Sequence, residues 1–123
     1  MTAEFNVGQK VGDYEVISIL GLGGMGKVYK VRNVISDRAE AMKVLLPDLT
    51  SHQSLADRFL REIRLLASLN HPNIASLRTA LTYENQLVMV MEFVEGETLA
   101  NRIARAPIST ADAVNYSDQI LSA

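Results

Sequence analysis

The sequence predicts an α+β fold: a five-stranded antiparallel sheet, one helix packed on one side of it, and two helices at the C-terminal end. Three observations predict it. Short runs rich in β-branched and aromatic residues are separated by clusters of turn residues. Between the third and fourth of these runs the apolar period lengthens to steps of three and four. After Gly96 the pattern becomes helical again.

Residues 14–21, YEVISILG, alternate and form the first strand, and residues 27–33, KVYKVRN, form the second. The glycines between them make the bend of a hairpin. SDR at 36–38 is the next turn, and AEAMKVLL at 39–46 is the third strand, ended by Pro47 and Asp48. A helix follows from about Ser54 to Leu69, with Leu55, Phe59, Leu66 and Leu69 as its apolar stripe; Asn70, His71 and Pro72 stop it. IASLRTALTY at 74–83 is the fourth strand, Glu84 and Asn85 are a turn, and QLVMVMEF at 86–93 is an apolar run suited to a strand buried on both faces. TLANRIAR at 98–105 and STADAVNYSDQILSA at 109–123 are helices, the second capped by Ser109 with Asp112 three residues on. Residues 1–12 read as a loose leader. The last helix carries no stop signal, which points to a polypeptide that continues.

The totals exclude several classes. A chain of 123 residues suits one domain. Its 48% hydrophobic and 21% charged residues are ordinary for a globular protein. A net charge of −2 offers no electrostatic case for nucleic acid or an anionic membrane. The absence of cysteine rules out disulfides and thiolate metal sites, and fits a reducing compartment. The longest apolar run, LVMVM at 87–91, cannot cross a bilayer, and the N-terminus lacks a signal-peptide pattern. The segment reads as cytoplasmic.

Three features stand out. The first is the turn GLGGMG at 21–26, which places four of the chain's seven glycines in six positions. Glycines let the backbone approach a phosphate closely and turn N–H groups toward it. The plain alternative is a flexible hairpin tip. A dinucleotide-binding turn needs a helix directly after the glycines. Here the period-two run KVYKV follows, although Glu40 lies at about the right distance for a ribose-binding acid. A P-loop fails for lack of Gly-Lys-Ser/Thr at the required spacing. The second feature is Lys43 inside the apolar strand AMKVLL, where the plain reading is an edge lysine whose stem reaches water. The third is Glu62, in the apolar stripe between Phe59 and Leu66, where the plain reading is a helix rotated toward solvent. A buried charge without a partner is strongly unfavourable. These two misplaced charges explain one another if the helix packs on the sheet and Glu62 meets Lys43.

The order of a Gly-rich hairpin, a strand lysine, a helix glutamate, HPNI at 71–74 and VMEFVEG at 90–96 resembles the N-terminal lobe of protein kinases. GLGGMGKVYKV and LNHPNI are most similar to bacterial Ser/Thr kinases of the eukaryotic-like type, over nearly the whole chain from Tyr14. The resemblance implies a fold in which the helix at 54–69 is the family's αC and the last helices are αD and the start of αE. It implies that residues 13–94 are the lobe and residues 95–123 the hinge exit and first helices of an incomplete C-lobe. Leu20, Gly21, Leu22, Gly23, Gly24, Met25, Gly26, Lys27 and Val28 would form the loop over the ATP phosphates. Lys43 would hold the α- and β-phosphates and Glu62 would pair with it. Leu20, Val28 and Ala41 would sandwich the adenine, with Met91 as gatekeeper behind it. The carbonyl of Glu92 and the N–H of Val94 would meet its edge. His71 would be structural.

There are departures from the family. Glu40 replaces an apolar residue at the start of the lysine strand, pointing away from Ala41 and Lys43. Thr98 stands near the ribose where an acid is common. The H-R-D and D-F-G motifs are absent: Asp13, Asp37, Asp48, Asp57, Asp112 and Asp118 lie in neither. The implied parent is an ATP- and magnesium-dependent kinase acting on protein Ser/Thr, with magnesium ligands in the missing lobe and none here. The chain alone is expected to be inactive, without nucleic-acid or membrane contact, though an anchor downstream in the parent stays open. A second reading is a non-catalytic interaction module, its exposed last helix exchanged in a domain-swapped homodimer. A third, a pseudokinase fragment, sits poorly with intact glycines, Lys43 and Glu62.

Overall fold

A computed structural model of the chain describes residues 5–22, 26–45 and 53–123. The strands are β1 (Lys10–Val11), β2 (Tyr14–Leu22), β3 (Gly26–Asn33), β4 (Ala39–Leu45), β5 (Leu77–Tyr83) and β6 (Gln86–Glu92). The helices are α1 (Gln53–Ala67), α2 (Leu99–Arg105) and α3 (Thr110–Leu121). The six strands form one antiparallel sheet in the order β1-β2-β3-β4-β6-β5. Gly23, Gly24, Met25, Pro47 and Asp48 lie outside the described residues.

The sequence predicts five strands, and the described residues form six. The additional strand is β1, inside the stretch expected to be a loose leader. Val11 is fully buried and Phe5 nearly so. The Phe5 N–H donates to the Tyr29 hydroxyl at 3.0 Å, and the Phe5 ring lies 5.4 Å from Tyr29 and edge-on to Tyr83 at 5.8 Å. Aromatic burial of this size outweighs the ordering cost of a short segment. The segment carries no strong period because only a few of its side chains reach the core.

The turns follow from their chemistry. Tyr83 pairs with Gln86, so Glu84 and Asn85 are a two-residue loop. Glu84 has φ 50 and Asn85 φ 65, both positive, as a type I′ hairpin requires. Between β3 and β4 the Asn33 carboxamide oxygen accepts from the N–H groups of Ile35 and Ser36. Asp37 in the same turn also has positive φ.

The sheet divides two cores. One face gathers Phe5, Val11, Tyr14, Val16, Tyr29, Val31, Met42, Val44, Val88 and Val90. The other packs Leu45 and Met89 against Phe59 and Ile63 of α1, flanked by Ala56, Leu66, Leu77, Leu87 and Met91. The true apolar stripe of α1 is thus centred on Phe59 and Ile63, rather than on the Leu55–Leu69 line. Leu69 lies beyond the helix end and is exposed. The shift of one position leaves Glu62 at the flank of the packed face, where it reaches the sheet.

Ser109 caps α3 by accepting from the Asp112 N–H at 3.1 Å, and Thr98 caps α2 by accepting from the Asn101 N–H at 3.0 Å. Neither helix buries a residue. The α3 helix is tied to the loop after α1 by Asn73, whose carboxamide N–H₂ donates to the Gln119 carbonyl at 2.7 Å and to the Ser122 hydroxyl at 2.9 Å.

Candidate functional site

Strand pairing places the singled-out residues. Val28 of β3 stands opposite Lys43 of β4, and Lys43 opposite Met89 of β6; further along, Ala41 stands opposite Met91. Directly paired residues share a face, so Val28, Ala41, Lys43, Met89 and Met91 lie on the side of the sheet that α1 covers in part. Helix α1 reaches Leu45 and Met89. It runs past Lys43 with Glu62 at its flank, and Lys43 Nζ lies 3.3 Å from Glu62 Oε1. The side chains are 18% and 32% exposed, so the pair is neither dry nor fully solvated. The ammonium also lies 5.9 Å from the centre of the Phe59 ring. The structure therefore brings together the two charges whose positions in the sequence were individually unfavourable.

The glycine strand lies beside this pair. Gly21 stands opposite Val28, and Gly26 opposite Leu45. A Cβ at Gly26 would overlap the Val44 carbonyl oxygen, whereas one at Gly21 would meet nothing within 4 Å. Gly26 is thus required by the close approach of β3 to β4, and Gly21 is not required by packing. Leu20 sits in an irregularity of the β2–β3 ladder between Ile19 and Gly21, half-exposed, and Leu22 is exposed. Lys27 opposes both Leu22 and Val44.

At the other end of β6, Glu92 is held from behind. Its N–H donates to the Ser76 carbonyl at 2.8 Å and its carboxylate accepts from the Ser76 N–H at 3.1 Å. Val94 is exposed. Thr98, expected near a ribose, uses its hydroxyl oxygen as the α2 cap.

Sequence reasoning did not foresee the environment of Glu40. This residue occupies the opposite face from Ala41 and Lys43 and is 2% exposed. Arg38 Nη2 lies 3.1 Å and Arg78 Nε 3.2 Å from Glu40 Oε2. A cavity of about 570 Å³ lies away from Lys43, between the loop at 72–75, the chain leaving β6 at Glu92 and Val94, and the two last helices; Ile74, Val94, Leu99, Tyr116 and Ile120 give it an apolar wall. Among the described residues no cluster of acidic or histidine side chains is arranged to hold a metal ion.

A hairpin-rich antiparallel sheet, with one helix across it delivering a carboxylate to a strand lysine beside a glycine hairpin, defines the N-terminal lobe of a protein kinase. The family model for the protein kinase domain matches residues 14–123, and the chain belongs to that family. Among its relatives, the serine/threonine-protein kinase PrkC of Bacillus subtilis is 37% identical over 119 residues, covering 95% of this chain and 18% of PrkC. The serine/threonine-protein kinase PknJ of Mycobacterium tuberculosis is 35% identical over 123 residues, covering all of this chain and 21% of PknJ. The crystal structure of the M. tuberculosis PknI kinase domain superposes with a TM-score of 0.78 at 27% identity, covering 95% of this chain and 48% of that one. The chain thus spans about a fifth of the length of these curated relatives.

Proposed function

We propose that this chain is the ATP-cradling half of a Ser/Thr protein kinase. The observation that carries the reading is the 3.3 Å contact between Lys43 and Glu62 beside the glycine hairpin. One anion orients the ammonium and leaves its remaining N–H groups for a second, which suits the α- and β-phosphates of a nucleotide. Backbone N–H groups of the loop from Leu20 to Val28 close over those phosphates. Val28 and Ala41 form the apolar roof for adenine, Met91 backs it, and the Glu92 carbonyl and Val94 N–H meet its edge. Glu92's own N–H is committed to Ser76, which fixes this residue at the end of β6.

The γ-phosphoryl acceptor in the whole kinase is a protein serine or threonine hydroxyl. The residues that would take its proton and hold magnesium belong to H-R-D and D-F-G motifs that these 123 residues do not contain, so the chain alone turns nothing over. It works in the cytoplasm, with ATP and, through the parent, a protein substrate as partners. No helix among the described residues is long and apolar enough to cross a membrane.

The test is calorimetric titration of ATP and ADP into the chain, beside a phosphotransfer assay with a basic protein substrate. Saturable nucleotide binding lost in Lys43→Met supports the reading; phosphotransfer that survives Lys43→Met sinks the role given to Lys43.

A second reading rests on the exposed Val114, Ile120 and Leu121 of α3, 55%, 62% and 82% exposed. Apolar surface of this kind favours association, and an exchanged α3 would give a swapped homodimer. Light scattering across concentration separates a dimer from a monomer.

A further inference from the structure

The main chain that would meet an adenine edge begins where strand support ends. The β4–β6 ladder finishes at the pair Glu40 and Glu92, and Phe93 is the next residue. Glu92 is fixed from one side by Ser76. On the side toward the glycine hairpin the contact comes from β3: Lys30 stands opposite Ala41, and its ammonium lies over the Phe93 ring, 4.9 Å from the centroid. Both residues are half-buried. A cation seated on an aromatic face is attracted by the negative centre of the ring, and partial burial strengthens the attraction. Lys30 thus joins the strand that supplies Val28 to the segment between Glu92 and Val94.

We propose that Lys30 is a positioning residue for nucleotide binding. Its ammonium, clasped on Phe93, holds the main chain of residues 92–94 at a set distance from Ala41, so that the slot keeps the width of a purine ring. This inference rests on the nucleotide-binding reading above and adds a residue to it that touches no part of the nucleotide.

The geometry separates this role from direct charge attraction. A clasp acting on the adenine edge weakens adenosine, ADP and ATP by one common factor when broken. A lysine that reached the phosphates would matter more with each phosphate added.

The experiment is titration of adenosine, ADP and ATP into the full chain and into Lys30→Met, Lys30→Arg, Phe93→Leu and the Lys30→Met/Phe93→Leu double variant. Hydrogen exchange of the amides at 92–97 is followed in the same proteins, with melting temperatures to show that each is folded. Lys30→Met and Phe93→Leu are each expected to weaken all three ligands equally, by about two- to fivefold. The double variant is expected to be no weaker than either single one. Arginine, which also stacks on rings, should restore binding to within about twofold. Amides at 92–97 should exchange faster in Lys30→Met and Phe93→Leu but not in Lys30→Arg. A loss that grows from adenosine to ATP, additive effects in the double variant, or unchanged exchange in Lys30→Met would each overturn the proposal. Absence of binding by the unsubstituted chain overturns the nucleotide reading itself, and the exchange data then still show whether the clasp exists.

Discussion

Glu40 and Arg78 meet at 3.2 Å although the strands that carry them are not neighbours in the sheet. Strand β6 lies between β4 and β5, and the two side chains span it on the face opposite Lys43. Arg38 closes on the same carboxylate from two residues away. A carboxylate that is 2% exposed is thereby given two guanidinium partners, one 57% and one 34% exposed.

That asymmetry predicts unequal variants. Arg78→Ala strips a partner from a carboxylate that cannot reach water, and should cost about 1–3 kcal/mol. Glu40→Leu removes the buried charge and leaves two arginines that water can reach, so it should cost less than Arg78→Ala. The urea midpoints of the two variants decide it, with the slope unchanged. A larger loss for Glu40→Leu would contradict the argument.

The two ends of the glycine hairpin should also respond differently. A methyl group at Gly26 is forced into the Val44 carbonyl, whereas at Gly21 it meets nothing. Gly26→Ala should therefore destabilise by about 1–3 kcal/mol or prevent folding. Gly21→Ala should stay within about 0.5 kcal/mol of the parent. Thermal melts of the pair would show it; equal losses would mean that β3 and β4 do not approach as closely as described.

For Lys43 and Glu62 the prediction concerns what the pair does not do. Both side chains keep some contact with water, so their attraction is screened. Lys43→Met should then change stability by less than about 1 kcal/mol. The same variant should abolish stabilisation of the fold by ADP, since ligand binding raises stability only in proportion to affinity. Denaturation with and without ADP separates the two effects. A variant that unfolds outright would assign the pair a structural role.

Asn73 should govern how firmly α3 is held. Asn73→Ala removes the donors to Gln119 and Ser122 at an exposed site. The loss should be about 0.5–1.5 kcal/mol, felt locally. Hydrogen exchange of residues 116–122 should quicken while β3 and β4 stay protected. Unchanged exchange there would show that other contacts hold the helix.

Sequence alone determined the elements that have a strong period, and the charges that break it. Strands β2 to β6 and helix α1 follow from alternation, from three-and-four spacing and from turn residues such as Glu84 and Asn85. Lys43 and Glu62 were legible because an ion in an apolar row is costly wherever the row is buried. Only the tertiary structure decided matters that depend on contacts between distant stretches. Phe5 becomes core because Tyr29 and Tyr83 face it across the sheet, and nothing local to residues 1–12 records that. Ile63 enters the core because Leu45 and Met89 of the sheet meet it there, whereas Leu69 is left out because the helix ends at Ala67 before reaching it. Glu40 gains its second guanidinium, beside that of nearby Arg38, only because Arg78, 38 residues further on, arrives beside it. Local periods are set by neighbours along the chain, whereas the partner of a buried charge or ring is set by how the whole sheet closes.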